Sequence, residues 1–126
     1  MSVLPQSFDD SKPIYIQVRE RLEDMIVKGQ LEEGEQAPST TQLSKFYKIN
    51  HITVGKGVNQ LVDEGVLFKK RGIGMFVSDG AKEKLLENRK KTFVAEYIHP
   101  LLVEAEKLGI TKEELSNMLK QEKGSE

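Results

Sequence analysis

The 126-residue chain contains no cysteine, which excludes disulfides and thiolate metal sites. Its two histidines, His51 and His99, stand far apart, with no metal-ligand spacing between them. No carboxylate pair marks an obvious cleft. "GKG" at 55–57 lacks both the preceding strand and the following Lys-Ser/Thr of a phosphate-binding loop. No apolar run approaches the roughly 18–20 residues that a membrane span needs. The opening "MSVLPQSFDDSKP" has neither the basic nor the apolar region of a signal peptide. These absences argue against an enzyme, a metal, a cofactor or a membrane partner, and the expected location is the cytoplasm.

Net charge is also scarce, at −1 for the whole chain. Its distribution is uneven. Residues 13–40 carry three basic side chains (Arg19, Arg21, Lys28) against six acidic ones (Glu20, Glu23, Asp24, Glu32, Glu33, Glu35). Residues 41–77 reverse this, with six basic (Lys45, Lys48, Lys56, Lys69, Lys70, Arg71) against two acidic (Asp63, Glu64). A local basic face attracts phosphates even in a nearly neutral protein.

Apolar spacing orders the elements. Ile14, Val18, Leu22, Met25 and Ile26 form one helical stripe after Pro13, and Gly29 stops that helix. "QLEEGEQAP" reads as a turn and a short extended stretch. Ser39 caps a second helix, "TTQLSKFYK", with Leu43 and Phe46 or Tyr47 inward. "KIN" is a tight turn, and Asn50 caps a third helix that stops at Gly65. "VLFKK" and "MFVS" read as strands joined by "RGIG". The expected fold is mainly α with a small β-hairpin wing: a winged helix-turn-helix domain followed by a two-helix C-terminal dimerisation tail. The expected divisions are a flexible N-terminus (1–12), the winged domain (13–78), the helical dimerisation region (79–122) and a disordered tail (123–126).

The third helix accepts Gly55 and Gly57, each at about 1 kcal/mol relative to alanine. On a helical wheel Val54, Val58, Leu61 and Val62 face the core, while Ile52, Lys56, Asn59 and Asp63 lie roughly opposite. The two glycines occupy the flanks, where something bulky can come close. The expected neighbour of Gly57 is the preceding helix, and that of Gly55 is a phosphate backbone. His51, Ile52, Thr53 and Lys56 occupy the N-terminal end, the end that enters the major groove in helix-turn-helix docking. Lys56 can donate to guanine or phosphate, His51 can donate or accept, and Thr53 can bond phosphate or touch a thymine methyl. In "KKRGIGMFV", Lys69, Lys70 and Arg71 suit phosphates, and Gly72 and Gly74 let a wing tip enter a narrow minor groove. The rival reading is a winged-helix module that binds protein, which requires an apolar outward face on the third helix.

With these residues in place, the segment from "PIYIQV" through "GQL", Pro38-Ser39, "INHITVGKGVNQLVDEGV" and "RGIGMFV" resembles the DNA-binding domain of GntR-family bacterial transcription regulators. The short tail and "IN..TV.K" resemble the YtrA subfamily, which has no large effector domain. The resemblance implies a homodimer on a (pseudo)palindromic double-stranded operator, usually a repressor, often of ABC transporter genes. It carries over Ser39, Asn50, Thr53, Lys56, Arg71, Gly72 and Gly74 as DNA-binding positions. Many members have arginine, which contacts phosphate, at the position of Thr41. Others have arginine at that of Gly55, and alanine is common at that of Gly57. Losing both arginines shifts affinity toward the wing and lowers the salt slope by about one unit per lost contact.

Beyond Asp79 a long helical stretch is interrupted at His99-Pro100, where a bend is expected. Gly109 ends it, and Thr111 with Glu114 forms a capping box for a last helix. Phe93, Val94, Tyr97, Ile98, Leu101, Leu102, Ala105 and Leu108, joined by Leu115, Met118 and Leu119, make a stripe too wide for two helices to bury. A second copy of the tail buries it through a two-fold interface. Tyr97 and His99 beside Pro100 are candidates to line a pocket for a small-molecule effector.

Overall fold

A computed structural model describes residues 8–122. The elements are α1 (Ile14–Val27), α2 (Thr40–Tyr47), α3 (His51–Asp63), β1 (Leu67–Lys70), β2 (Gly74–Val77), α4 (Ala81–Phe93), a π-helical turn (Val94–Ile98), α5 (His99–Lys107) and α6 (Lys112–Gln121). One compact unit ends at Leu86 and the second begins at Glu87. The first therefore runs past the division expected after residue 78. The cause is packing: Ala81 and Leu85, in the first half of α4, belong to the core of the first unit.

That core collects Val18, Leu22 and Ile26 from α1, Leu43 and Tyr47 from α2, and Val54, Val58 and Leu61 from α3. Leu67, Met75 and Val77 close it from the hairpin. Phe46, one of two inward candidates in α2, is exposed, and Tyr47 is the buried one. Segment 8–12 is held rather than frayed. The half-buried Phe8 ring meets Tyr47 edge-on at 5.4 Å, and the buried Gln17 amide donates to the carbonyls of Asp9 and Lys12 at 2.8 and 2.7 Å. The Ser11 hydroxyl and backbone N–H donate to the Asp9 carboxylate and hold its pKa below the ordinary value. The remainder of the expected flexible N-terminus, and the expected tail at 123–126, lie outside the described residues.

Local signals set the helix ends. Ser39 Oγ accepts from the Gln42 N–H while the Gln42 side chain accepts from the Ser39 N–H, a complete capping box for α2. Asn50 Oδ1 accepts from the Thr53 N–H at 2.8 Å and opens α3. Between them Lys48 takes a left-handed conformation at φ 59°, and Ser44 Oγ donates to the Ile49 carbonyl, so the chain reverses in three residues.

β1 and β2 pair antiparallel, Leu67 opposite Val77 and Lys70 opposite Gly74. The stretch 34–37 covers the far edge of β2, with Gly34 N–H and Ala37 N–H donating to Val77 and Met75 carbonyls at 2.8 Å each. That edge therefore offers no row of unpaired backbone groups to another chain. In the second unit the interruption at Pro100 takes the form of the π-helical turn just before it. Proline has no N–H for the fourth preceding carbonyl, and a widened turn absorbs the mismatch. Thr111 and Glu114 form the expected capping box of α6.

The two glycines of α3 part company. A Cβ on Gly57 would collide with the Tyr15 carbonyl oxygen and sit 3.4 Å from the Arg19 nitrogen. Its neighbour is thus α1, not the preceding helix α2 as expected, because α1 crosses α3 at the core face. A Cβ on Gly55 meets nothing within 4 Å. Gly55→Ala is therefore expected to stabilise the fold by about 1 kcal/mol, the helix-propensity term alone. Gly57→Ala gains the same term but must displace the α1 backbone, at about 1–3 kcal/mol, and is expected to be less stable than the parent. Urea unfolding of the pair reads the opposite signs; a stabilised Gly57→Ala would show that α1 yields freely at Tyr15.

Candidate nucleic-acid interface

The first turn of α3 stands open. His51, Ile52 and Lys56 are exposed, Thr53 and Gly55 are half-buried, and Ile52 reaches 85% exposure. Asn50 is exposed, with Oδ1 committed to the cap and its amide nitrogen outside it. The other end of the helix is fixed. Arg19 donates to Gln60 Oε1 at 3.0 Å and to Glu64 Oε1 at 2.7 Å, and its Nε reaches Glu23 at 3.1 Å. Burial pulls the Arg19 pKa down, but the Glu23 hydrogen bond and the charges of Glu23 and Glu64 outweigh it and hold the pKa up. This partly buried fork ties α3 to α1 and leaves the N-terminal turn projecting. Lys56 Nζ lies 4.1 Å from the centre of the Tyr15 ring. That cation–π contact was not foreseen, since nothing local to Lys56 points to a residue 41 positions earlier.

The wing presents its cations on two faces. Strand alternation sets Lys69 opposite Met75, on the side of Leu67, and places Lys70 on the side of Phe68 and Phe76. Lys70 Nζ sits 4.6 Å above the Phe76 ring, which stacks on Phe68 at 5.8 Å. Arg71 and Gly72 are exposed at the turn, and Gly72 has φ 78°. Gly74 is favoured by its backbone, at φ 144°, and a Cβ there would also displace the Gln36 side-chain amide.

Gln36, which the sequence reading did not single out, positions the wing. Its amide donates to the Ile73 carbonyl at 3.1 Å, and its backbone bridges to Phe76. It clamps the wing tip from the segment leading into α2. The only local signal was the extended stretch before Pro38. Ile73, between the two glycines of the tip, is 63% exposed. A groove of about 440 Å³ runs along this junction, lined by Gln36, Ser39 and Thr40 on one side and residues 69–75 on the other. The structure thus brings Ser39 together with Lys69, Lys70, Arg71, Gly72 and Gly74. Thr41 is exposed on α2 and does not line the groove.

In the second unit, Phe93, Val94, Tyr97, Leu101, Leu102, Leu108, Met118 and Leu119 are exposed, and Ile98 and Leu115 are half-buried. Ala105 is the exception among the expected dimerisation residues. It is buried inside the tail, where its carbonyl accepts from the Ile110 N–H at 2.9 Å. Val103, which wheel reasoning omitted, is exposed. A cavity of about 450 Å³ between α5 and α6 is lined by His99, Leu102, Val103, Ile110, Lys112 and Leu115, among others, and Tyr97 is not part of it. Among the described residues no group of His, Asp or Glu could hold a metal ion, and no helix is long and apolar enough to cross a membrane.

Comparison with known proteins agrees with this architecture. The chain is 32% identical over 111 residues to the HTH-type transcriptional repressor YtrA of Bacillus subtilis, covering 88% of this chain and 85% of that protein. A transcriptional regulator of the GntR family from Bacteroides thetaiotaomicron has a similar structure, with TM-score 0.74 and 34% identity over 86% of this chain and 94% of that one. The DNA-binding domain of AraR, solved in complex with operator ORR3, matches 61% of this chain and 93% of its own, with TM-score 0.53 and 26% identity. Residues 14–77, from the start of α1 to the end of the wing, match the family described as bacterial regulatory proteins, gntR family. The chain belongs to that family of winged-helix, DNA-binding transcription regulators.

Proposed function

We propose that the chain is a repressor that binds a palindromic operator as a homodimer, with one α3 in the major groove of each half-site. The observation that carries this reading is the open first turn of α3 beside a cationic wing. Ile52 is 85% exposed there, and no other apolar side chain shares its outward face with Lys56, Asn59 and Asp63. A module built to dock protein would need a continuous apolar stripe on that face. In this reading His51, Ile52, Thr53 and Lys56 meet base edges or adjacent phosphates. Ser39, Thr41 and Asn50 sit at helix N-termini, where backbone N–H groups favour phosphate. Gly55 admits the sugar-phosphate backbone closely. Lys69, Lys70 and Arg71 neutralise phosphates, and Gly72 and Gly74 shape the tip.

The tail supports pairing. Among the described residues its own folding buries Ala105 alone of the apolar side chains and leaves Phe93, Tyr97, Leu101 and Leu108 exposed. A second copy covers such a surface and sets two recognition helices about one DNA turn apart. The YtrA resemblance further points to an ABC transporter operon as the target, which the genes beside the coding sequence test directly. The cavity between α5 and α6 is the place for a small-molecule effector, if the regulator takes one.

Lys56→Ala and Arg71→Ala are each expected to weaken duplex binding and to lower the slope of log affinity against log salt by about one unit. Fluorescence anisotropy across a salt series measures both; unchanged binding in both variants favours the protein-docking module. Sedimentation equilibrium at micromolar concentration is expected to give a dimer. Leu101→Glu is expected to give a folded monomer whose operator affinity falls by about a hundredfold or more, because the second half-site no longer binds intramolecularly.

A further inference from the structure

We propose that Ile52 is a specificity-determining residue that reads the C5-methyl group of one thymine in each operator half-site. The inference rests on the DNA-binding reading above and names one base feature that the site selects. Ile52 is the second residue of α3 and the most exposed of the large apolar side chains among the described residues. An isolated side chain of this kind buries nothing within its own fold. On the same face one turn along stands Lys56, and residues 41–77 carry six basic against two acidic side chains, which suits a polyanion rather than an apolar partner.

Isoleucine neither donates nor accepts a hydrogen bond. On the major-groove edge of a base pair, the one apolar feature is the thymine methyl. The side chain is β-branched and holds a single χ1 rotamer about 90% of the time in a helix, so little freedom is lost on contact. The commonest polar reader of guanine, arginine, is missing from both α2 and α3. Lys56, one helical turn further along the same face, is drawn back over the Tyr15 ring. Apolar contact by Ile52 therefore adds a methyl readout beside the hydrogen-bonding positions His51, Thr53 and Lys56.

The test uses the full chain and duplexes that it enriches from a randomised pool. Each thymine of the enriched site is replaced in turn by uracil, which deletes only the methyl. Parent protein is expected to lose about four-fold in affinity at one thymine per half-site, the equivalent of about 0.8 kcal/mol for one buried carbon group, and about sixteen-fold when both are replaced. Ile52→Ala is expected to fold with an unchanged unfolding midpoint, to bind the enriched duplex more weakly, and to ignore the uracil at that position. A flat uracil scan with the parent protein overturns the assignment. So does a thymine that stays equally sensitive in Ile52→Ala, which hands the methyl to another side chain such as Thr53. If the pool yields no enriched duplex at all, the DNA-binding reading itself fails.

Discussion

The contact between α1 and α3 governs the rest of the first unit. Gly57 lets the Tyr15 carbonyl approach where any Cβ would stand, and Val18, Leu22, Val54, Val58 and Leu61 close behind it. Arg19 then adds a fork to Gln60 and Glu64 at the far end of the same helix pair. One end of α3 is thereby anchored by packing and charge, and the other is left to project. A helix held in this way keeps its angle when its free end meets a ligand, and pre-organisation of that kind reduces the ordering lost on binding.

The wing is fixed by a different device. The hairpin alone would be two strands of four residues, too little to hold itself. The stretch 34–37 pairs along β2, and the Gln36 amide holds the tip carbonyl of Ile73. Because that stretch leads directly into Ser39 and α2, the wing tip is tied to the segment that opens α2. The link between the wing tip and the stretch before α2 is therefore a neutral glutamine amide rather than a charge pair.

Much of this was legible in the sequence because it is local. The caps at Ser39, Asn50 and Thr111, the stops at Gly65 and Gly109, and the apolar stripe of α1 each depend on residues within a turn of one another. The outward position of Ile52 followed from the wheel alone. What was missed depends on distant chain segments. The partner of Gly57 is 42 residues earlier, at Tyr15, and periodicity carries no information about which helix crosses which. The first unit extends to Leu86 because Ala81 and Leu85 find its core, although their sequence reads as part of the tail. Ala105 fits the stripe by spacing, yet the return of the chain at Ile110 covers it. Lys69, Lys70 and Arg71 were read alike as phosphate contacts, whereas strand alternation puts Lys70 over the Phe76 ring, on the face away from Lys69.

The π-helical turn at Val94–Ile98 has a consequence for the apolar surface of the second unit. A regular α-helix advances about 100° per residue, so one residue taken up in a widened turn rotates everything beyond it by roughly that angle. Phe93 and Tyr97 lie at or within the widened turn, and Leu101 and Leu108 lie beyond it. Their alignment is therefore a matter of phase, set by how many residues the turn absorbs. Pro100 acts as the key of that phase. Moving the proline one place earlier or later would turn the apolar face beyond it without changing the composition of the tail.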